Sequence, residues 1–561
     1  MTRLITRLVT GLIGVWLAVA APAQPGPDDN APLVELPPLL VEGERRLPPW
    51  LYAEADGTEY LSRCTSSTTR GYIERRVAQM HGIRSLIPPA FLLQTDVPAV
   101  TVLYSQSLRA QTQDEMVKEL MDLRRRRGGS LLRNSRVGSV PNLMLEDRDF
   151  FAVFAYIDER NFRPEGMTVA VDYLDFLLER RTPALPAWLR AGLAGLYAQT
   201  RIDRRATIDP LLWVSTAESN AIGANPDWPR TLVFAQDFFS PEVWRDEPIG
   251  SVRGRTLRAQ SLLFVRWALD PQHGAREAFW RFAAAAAGER PVTEEMMDEY
   301  FGFGFSDWRE RLSDYLPEAV RTALELDLSP PPRRRVRVRE ATPAEVARLQ
   351  GEWERLSIGF VRRRYPEFAD RYIEQARATL TKAWVGGDRS PPLAATLGLC
   401  EIDAGNDAAA RPYLEQAVAG TVVRPRVYSE LARLRLAETE SRRTDSAGLW
   451  TPAEIAAVVE PLHQAFMQRP PLPDAYRLLA QTWARSEQVP ADRDWQRLEE
   501  GLGLFPDDVR LAYEVAQVHH RHGRNAEAVA VLGRAFPRVR DDATRRRYAE
   551  LYALLNPPAT P

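Results

Sequence analysis

Two pairs of side chains have types and a spacing that could support chemistry. The first pair is Asp172 and Asp175, three residues apart in a segment, Gly166–Arg180, that predicts a helix, so both carboxylates share one helix face. Such a pair could hold a hard cation or divide acid and base roles. The nearby sequence offers no further oxygen donors, and exposed acidic residues are common on helices. We therefore expect a solvated acidic pair and no metal site.

The second pair, His519 and His522, also has a spacing at which two imidazoles could share a metal ion. No third ligand is identifiable, so we expect these histidines on a helix surface. The two cysteines, Cys64 and Cys400, are far apart in the sequence, and we expect free buried thiols. The sequence contains no HExxH, GxSxG, Walker A, GxGxxG or paired-cysteine metal motif.

The stretch from Val169 to Tyr197 reads VAVDYLDFLLERRTPALPAWLRAGLAGLY. It resembles the core of gluzincin-type zinc peptidases of the peptidase MA group, in which one helix carries HExxH and the next opens with a pattern like PxWLxEGLA. Six positions keep the second pattern in order: Pro186, Trp188, Leu189, Gly192, Leu193 and Ala194. The segments 258–269 and 300–316 look like the helix that follows and the closing element of such domains. The resemblance implies an α+β peptidase MA-like (gluzincin) domain over residues 51–322.

The resemblance also implies where zinc ligands and a general base would stand. The first histidine position is Val171, which has no lone pair to offer, and the glutamate position is Asp172, one methylene shorter. The second histidine position is Asp175, an oxygen donor where zinc usually meets nitrogen. The third-ligand position is Ala191, which again has no donor. The metal site is therefore degenerate, and we expect no zinc, no other cofactor and no catalytic residue.

The N-terminus has the pattern of a secretory signal peptide. A start with two arginines is followed by the apolar segment 8–19 and by small residues around Ala23. We predict a signal peptide over 1–23, a flexible lead-in over 24–50, and an exported protein that is periplasmic or secreted. No later segment is apolar enough to span a membrane. The 73 basic and 75 acidic residues balance, which argues against a nucleic-acid partner.

The second half of the chain has a repeating helical pattern. Residues 323–342 are rich in proline and arginine and predict a linker, most simply a solvated basic connector, although 335–339 alternate as in an edge strand. Prolines that precede predicted helices, Pro392, Pro425, Pro473 and Pro506, are separated by 33, 48 and 33 residues. A period near 34 is typical of tetratricopeptide repeats. We therefore predict an all-α tetratricopeptide-like helical repeat domain over 343–556, with about four units and a polar loop near 440–451.

Stacked helical pairs create a concave surface suited to peptides or protein partners. We therefore expect a non-catalytic, peptidase-like (pseudopeptidase) protein that binds a protein or peptide partner through its repeats and its inert groove. One alternative is a hydrolase with relocated chemistry that uses Asp172, Asp175 or Glu179 as acid and base. Another is a purely structural protein in which Tyr173 or Phe176 fills the former groove.

Overall fold

The computed structural model describes residues 48–106, 142–167, 169, 171–213, 232–248, 250–287, 290–329, 335–364, 366–442 and 448–556. The predicted signal peptide and most of the lead-in lie outside these residues. So does the segment 113–126, where the spacing of apolar residues predicts a helix. Among the described residues, no helix has both the length and the apolar character that crossing a bilayer requires.

Nine strands in the described part of the chain belong to two sheets. They are β1 (Leu51–Ala55), β2 (Thr58–Ser62), β3 (Ala99–Ser105), β4 (Asn142–Glu146), β5 (Phe151–Ile157), β6 (Thr200–Ile202), β7 (Arg205–Ile208), β8 (Leu324–Asp327) and β9 (Arg339–Glu340). The larger sheet has the order β4-β5-β3-β2-β1-β9, and the smaller has the order β6-β7-β8. Strands β2, β3 and β5 are parallel, whereas β4, β1 and β9 pair antiparallel with their neighbours. The apolar run 99–104 and the segment 150–157 predict strands from the sequence, and the structure has β3 and β5 there.

Nine helices are described before the repeats. They are α1 (Ser66–Leu86), α2 (Val171–Glu179), α3 (Ala187–Ala198), α4 (Ala235–Phe239), α5 (Pro241–Asp246), α6 (Val252–Leu269), α7 (Arg276–Ala285), α8 (Glu294–Phe301) and α9 (Phe305–Ala319). The two consecutive helices predicted over 166–180 and 186–200 are confirmed as α2 and α3, although both are shorter than predicted.

The repeats comprise eleven described helices. They are α10 (Pro343–Arg364), α11 (Ala369–Val385), α12 (Pro391–Ala404), α13 (Asp407–Ala419), α14 (Pro425–Arg442), α15 (Pro452–Ala465), α16 (Pro473–Trp483), α17 (Asp492–Leu504), α18 (Val509–Arg521), α19 (Asn525–Ala535) and α20 (Asp542–Leu555). Consecutive helices contact each other in five pairs, from α10 with α11 to α18 with α19, and the first helices of neighbouring pairs also touch. The predicted helical repeat is thus confirmed, with one pair more than expected among the described residues.

Helix ends in the repeats follow from local sequence. Pro425 and Pro473 occupy first helical positions, where a missing backbone N–H is harmless. At the start of α15, Thr451 and Glu454 form a capping box, in which each side chain accepts a hydrogen bond from the other residue's backbone N–H. The predicted loop at 440–451 is shorter than expected, because α14 continues to Arg442 and Trp450 is buried in the repeat core.

The central sheet is covered on both faces, which explains its continuous apolar strands. Leu103 and Ala155 belong to a core that also contains Ile73 of α1. The alternate residues Val102 and Phe154 belong to another core, in which the ring of Phe154 lies 5.3 Å from the ring of Trp353 in α10. The first pair of repeat helices therefore packs directly on the sheet of the first half of the chain.

The segment 323–342, predicted as a linker, is not a wholly solvated connector. β8 joins β7 in the smaller sheet, with Leu324 and Leu326 buried and the intervening acidic side chains exposed. β9 pairs with β1 at the edge of the larger sheet. Val336 is buried in the core that contains Tyr60. The segment folds back because its alternate apolar residues have a sheet edge to cover.

Candidate functional site

The four positions at which the resemblance to zinc peptidases implies metal ligands and a general base lie on α2 and α3. Val171 is the first residue of α2 and is partly exposed, Asp175 is exposed one turn later, and Ala191 on α3 is partly exposed. The structure describes the backbone of Asp172 as part of α2, but it does not describe the side chain. Within the described residues, no group of three or more His, Cys, Asp or Glu side chains is close enough to share a metal ion.

The framework around these positions is tightly packed. Gly192 on α3 faces α6 so closely that an added Cβ would lie 2.6 Å from the carbonyl oxygen of Ser261. Trp188, the aromatic residue of the PxWL pattern, is fully buried, with its ring 5.5 Å from those of Phe239 and Phe264. The glycine and the tryptophan of the motif therefore hold α3 against α6, which explains their presence without any metal.

Charged side chains surround the open side of α2 and α3. Glu179 lies 3.6 Å from Arg190. Burial, together with the nearby Arg190, lowers the pKa of Arg258 on α6, whereas the carboxylate of Asp175 acts in the opposite direction. Asp175 thus shares its surroundings with the guanidinium group of Arg258. This arrangement favours ion pairing over acid–base chemistry at the site.

The side of α2 that faces the sheet is filled by aromatic rings. The rings of Tyr173 and Phe176 both lie 4.8 Å from the ring of Phe151 on β5. Between Tyr173, α1 and the sheet there is a cavity of only about 30 Å³, enough for a single water molecule. Tyr173 and Phe176 therefore pack α2 against β5.

A second candidate site lies where the β4–β5 turn meets the first helices of the repeats. The turn runs Asp147-Arg148-Asp149-Phe150 and is closed by a 2.7 Å hydrogen bond from the backbone N–H of Asp147 to the carbonyl oxygen of Phe150. We call the group that this turn forms with seven residues of the repeats the turn–repeat contact. Those residues are Glu352, Arg355, Thr396, Asp403, Arg424, Arg426 and Glu430.

Arg355 on α10 is the centre of the turn–repeat contact and is only 1% exposed. Its Nη2 lies 2.8 Å from Asp147 Oδ2 and 2.7 Å from Glu352 Oε1, and its Nη1 lies 2.6 Å from Asp403 Oδ2. One guanidinium group therefore bridges the turn to α10 and α12. Planar arginine suits this role, because its five donors are fixed in a fork.

Arg424 and Arg426, at the start of α14, hold the other side of the turn. Arg424 Nε lies 3.0 Å from Asp149 Oδ1, and its guanidinium carbon lies 4.3 Å from the centre of the Phe150 ring. Arg426 bridges Asp147 and Asp403 at 2.5 and 2.6 Å. The backbone N–H of Arg426 also donates to Asp149 Oδ2 at 2.8 Å. The turn is thus bound through both its carboxylates and its aromatic ring.

These arginines decide the charge state of the buried carboxylates. Burial alone would raise the pKa of Asp147, but Arg426, Arg355 and Arg424 hold it well below its usual value. The pKa of Glu352 is lowered to about 2 because Arg355 and Arg424 outweigh the effect of burial. Thr396 donates a further hydrogen bond to Glu352 at 2.7 Å. The carboxylates are therefore ionised and fully engaged, which suits attachment rather than proton transfer.

The turn–repeat contact was not predicted from the sequence. Its only local signal is the pair of arginines that flank Pro425 at a helix start, where the helix dipole disfavours positive charge. His519 also differs from the prediction, because it is 3% exposed and its ring stacks on that of Trp495 at 4.7 Å. It is a buried histidine rather than a helix-surface one. The two cysteines are buried and free, as predicted.

No protein-family model matches the chain, and no curated protein matches it. Among solved structures, a thermophilic TPR protein of Thermus thermophilus is 19% identical and covers 36% of this chain and 98% of its own, with a TM-score of 0.25. YrrB, described as a TPR protein with an unusual peptide-binding site, is 12% identical, with coverages of 37% and 98% and a TM-score of 0.27. PilF of Pseudomonas aeruginosa is 15% identical, with coverages of 39% and 96% and a TM-score of 0.26. These values carry no functional argument, and the helical repeat rests on the helix pairs described above.

Proposed function

We propose that this protein is an exported, non-catalytic scaffold that retains a peptidase MA-like (gluzincin) domain and binds a protein or peptide partner through its repeats. The observation that carries the proposal is the chemistry of the former ligand positions. Val171 and Ala191 have no donor atom, while Asp175 shares its surroundings with Arg258. The neighbouring Gly192 keeps the close α3–α6 approach.

The scaffold role is supported by the contacts that the first helices of the repeat pairs make within the chain. α10, α12 and α14 bind the β4–β5 turn of the same chain, and Arg148 reaches Asp474 on α16 at 2.7 Å. These helices therefore attach the first domain to the repeats. Under this proposal the external partner binds to parts of the array that the first domain leaves open.

The proposal is tested by zinc content and peptidase activity of the full chain and of one restored variant. The variant Val171→His, Asp172→Glu, Asp175→His, Ala191→Glu rebuilds the complete ligand set on α2 and α3. We expect no stoichiometric zinc and no casein hydrolysis in the parent, and about one zinc per chain in the variant. A matched control carries the first three changes but keeps Ala191, and it should bind zinc more weakly.

Zinc or peptidase activity in the parent would refute the non-catalytic function. Failure of the folded variant to bind zinc would refute the peptidase-like assignment of α2 and α3. Export is tested separately, by comparing the cellular fraction of the full chain with that of a chain lacking residues 1–23.

A further inference from the structure

A small polar cavity lies between α1, α2 and the inner face of the larger sheet. Parallel pairing places Tyr60 of β2 opposite Thr101 of β3, and Thr101 opposite Val153 of β5. All three residues line the cavity, which has a volume of about 30 Å³. Tyr60 and Thr101 are only 5% and 7% exposed. The sheet therefore buries two hydroxyl groups side by side on a face whose other buried residues, such as Leu103 and Ala155, are apolar.

Helices α1 and α2 contribute a cation and a third hydroxyl group to the same cavity. Arg76 of α1 lines it and forms no ion pair with the part of the chain that the structure describes. Its Nη1 lies 3.5 Å from Gln79 Oε1, at the limit of a hydrogen bond. Tyr173 of α2 also lines the cavity, and its hydroxyl group has no hydrogen-bond partner among the described residues. Because a partly buried guanidinium group without an acidic partner is unfavourable, the missing partner is an anion.

The charges around the cavity also favour an anion. Burial raises the pKa of Tyr60 and of Tyr173, so both phenols keep their protons at neutral pH and can donate hydrogen bonds. Around Tyr173, Arg84 and Arg76 act against this shift, whereas Asp56 adds to it. Asp56 is paired with Arg84 at 2.8 Å, which leaves the charge of Arg76 uncompensated. The cavity therefore presents O–H donors beside an excess of positive charge.

We propose that this cavity binds a single halide ion. Arg76 supplies the opposite charge, and the hydroxyl groups of Tyr60, Thr101 and Tyr173 donate hydrogen bonds to the ion. A cavity of about 30 Å³ has no room for phosphate, sulfate or a carboxylic acid, whereas a monatomic anion is close to water in size. The ion connects α2 to β2 and β3 through these hydroxyl groups, and to α1 through Arg76. This inference is independent of the proposed function.

The first test compares the thermal unfolding of the full chain in sodium chloride, sodium bromide and sodium gluconate at the same ionic strength of about 0.2 M. Gluconate is too large for the cavity, so chloride and bromide should raise the melting temperature relative to gluconate by at least about 2 °C. Arg76→Met and Tyr173→Phe should each lose most of this difference, and Tyr173→Phe keeps the ring beside Phe151. The matched control is Arg70→Met, an exposed change on α1 that should keep the full difference. General salt effects act on all these variants alike.

The second test locates the ion by the anomalous X-ray scattering of bromide, in crystals of the full chain grown in sodium bromide. We expect a bromide peak in contact with Arg76 and Tyr173 in the parent. A cavity that holds only a water molecule gives no such peak, and that result overturns the proposal even if the variants fail to fold. The proposal is also overturned if chloride and gluconate give equal melting temperatures. The same holds if Arg76→Met, shown by circular dichroism to be folded, keeps the full halide response.

Discussion

Replacing Arg355 by methionine should destabilise the contact between the β4–β5 turn and the repeats more than any surface substitution. Methionine has a similar length and fills the space, so the change mainly removes charge. Asp147, Glu352 and Asp403 would each lose a guanidinium partner at 2.6 to 2.8 Å while staying buried or nearly so. Removing one partner of a buried ion pair costs about 3–5 kcal/mol. We expect a loss of this size in the free energy of unfolding measured by urea titration with tryptophan fluorescence.

The matched control is Arg545→Met on α20, whose pair with Asp542 is 3.4 Å long and mostly exposed. It should change the stability by less than about 0.5 kcal/mol. A cycle with Asp147→Asn should show coupling above about 1 kcal/mol, because the two side chains share one contact. A loss below about 1 kcal/mol for Arg355→Met, or strictly additive effects in the cycle, would show that the contact does not hold the turn against the repeats.

Two further outcomes follow from the same contacts. Gly192→Ala places a Cβ 2.6 Å from the Ser261 carbonyl oxygen, so it should lower the free energy of unfolding by about 1–3 kcal/mol and lower the melting temperature. The control Gly503→Ala meets no atom within 4 Å and should not lower the melting temperature. Equal melting temperatures for the two variants would contradict the close α3–α6 approach. The second outcome concerns pH: Asp147 and Glu352 have lowered pKa values in the folded protein because Arg355, Arg424 and Arg426 face them. Their stabilisation is therefore complete above the unfolded-state pKa of about 4 and is lost as pH falls toward the folded value of Glu352. The urea midpoint should fall between about pH 5 and pH 3, and less steeply in Asp147→Asn, while equal slopes would contradict the ion pairing.

The strands and helices were predictable where the signal is local. Ala99–Ser105 is an uninterrupted apolar and β-branched run, and it forms a strand buried on both faces. The helix spacing of the last repeat likewise gave Val509–Arg521 and Asn525–Ala535 to within one residue at each end. The periodicity of apolar residues shows which face of an element is buried, so it was enough to predict these strands and helices.

The contacts between distant elements could not be predicted in this way. Asp147 and Arg355 are 208 residues apart, and Asp149 and Arg424 are 275 apart. Nothing local to either residue distinguishes a buried ion pair from two solvated charges. The alternation over 335–339 allowed an edge strand, but it could not show that Arg339–Glu340 would pair with β1, some 290 residues earlier.

His519 was mispredicted for a different reason. The sequence offers no third metal ligand beside His519 and His522, so two histidines on a helix surface were expected. The phase of α18 shows otherwise, because His519 follows Ala512 by two turns and Ala512 is buried. Assigning each residue of α18 to a helix face by its position would have predicted that His519 lies on the buried face.

The double covering of the central sheet has a consequence for biosynthesis. Phe154 leaves the ribosome about 200 residues before Trp353, the ring that covers it. At translation rates of about 5–20 residues per second, the apolar outer face of β3 and β5 stays exposed for roughly 10–40 seconds before the helix that covers it has been made. We therefore expect the nascent first half to expose this apolar face until the C-terminal half has been made.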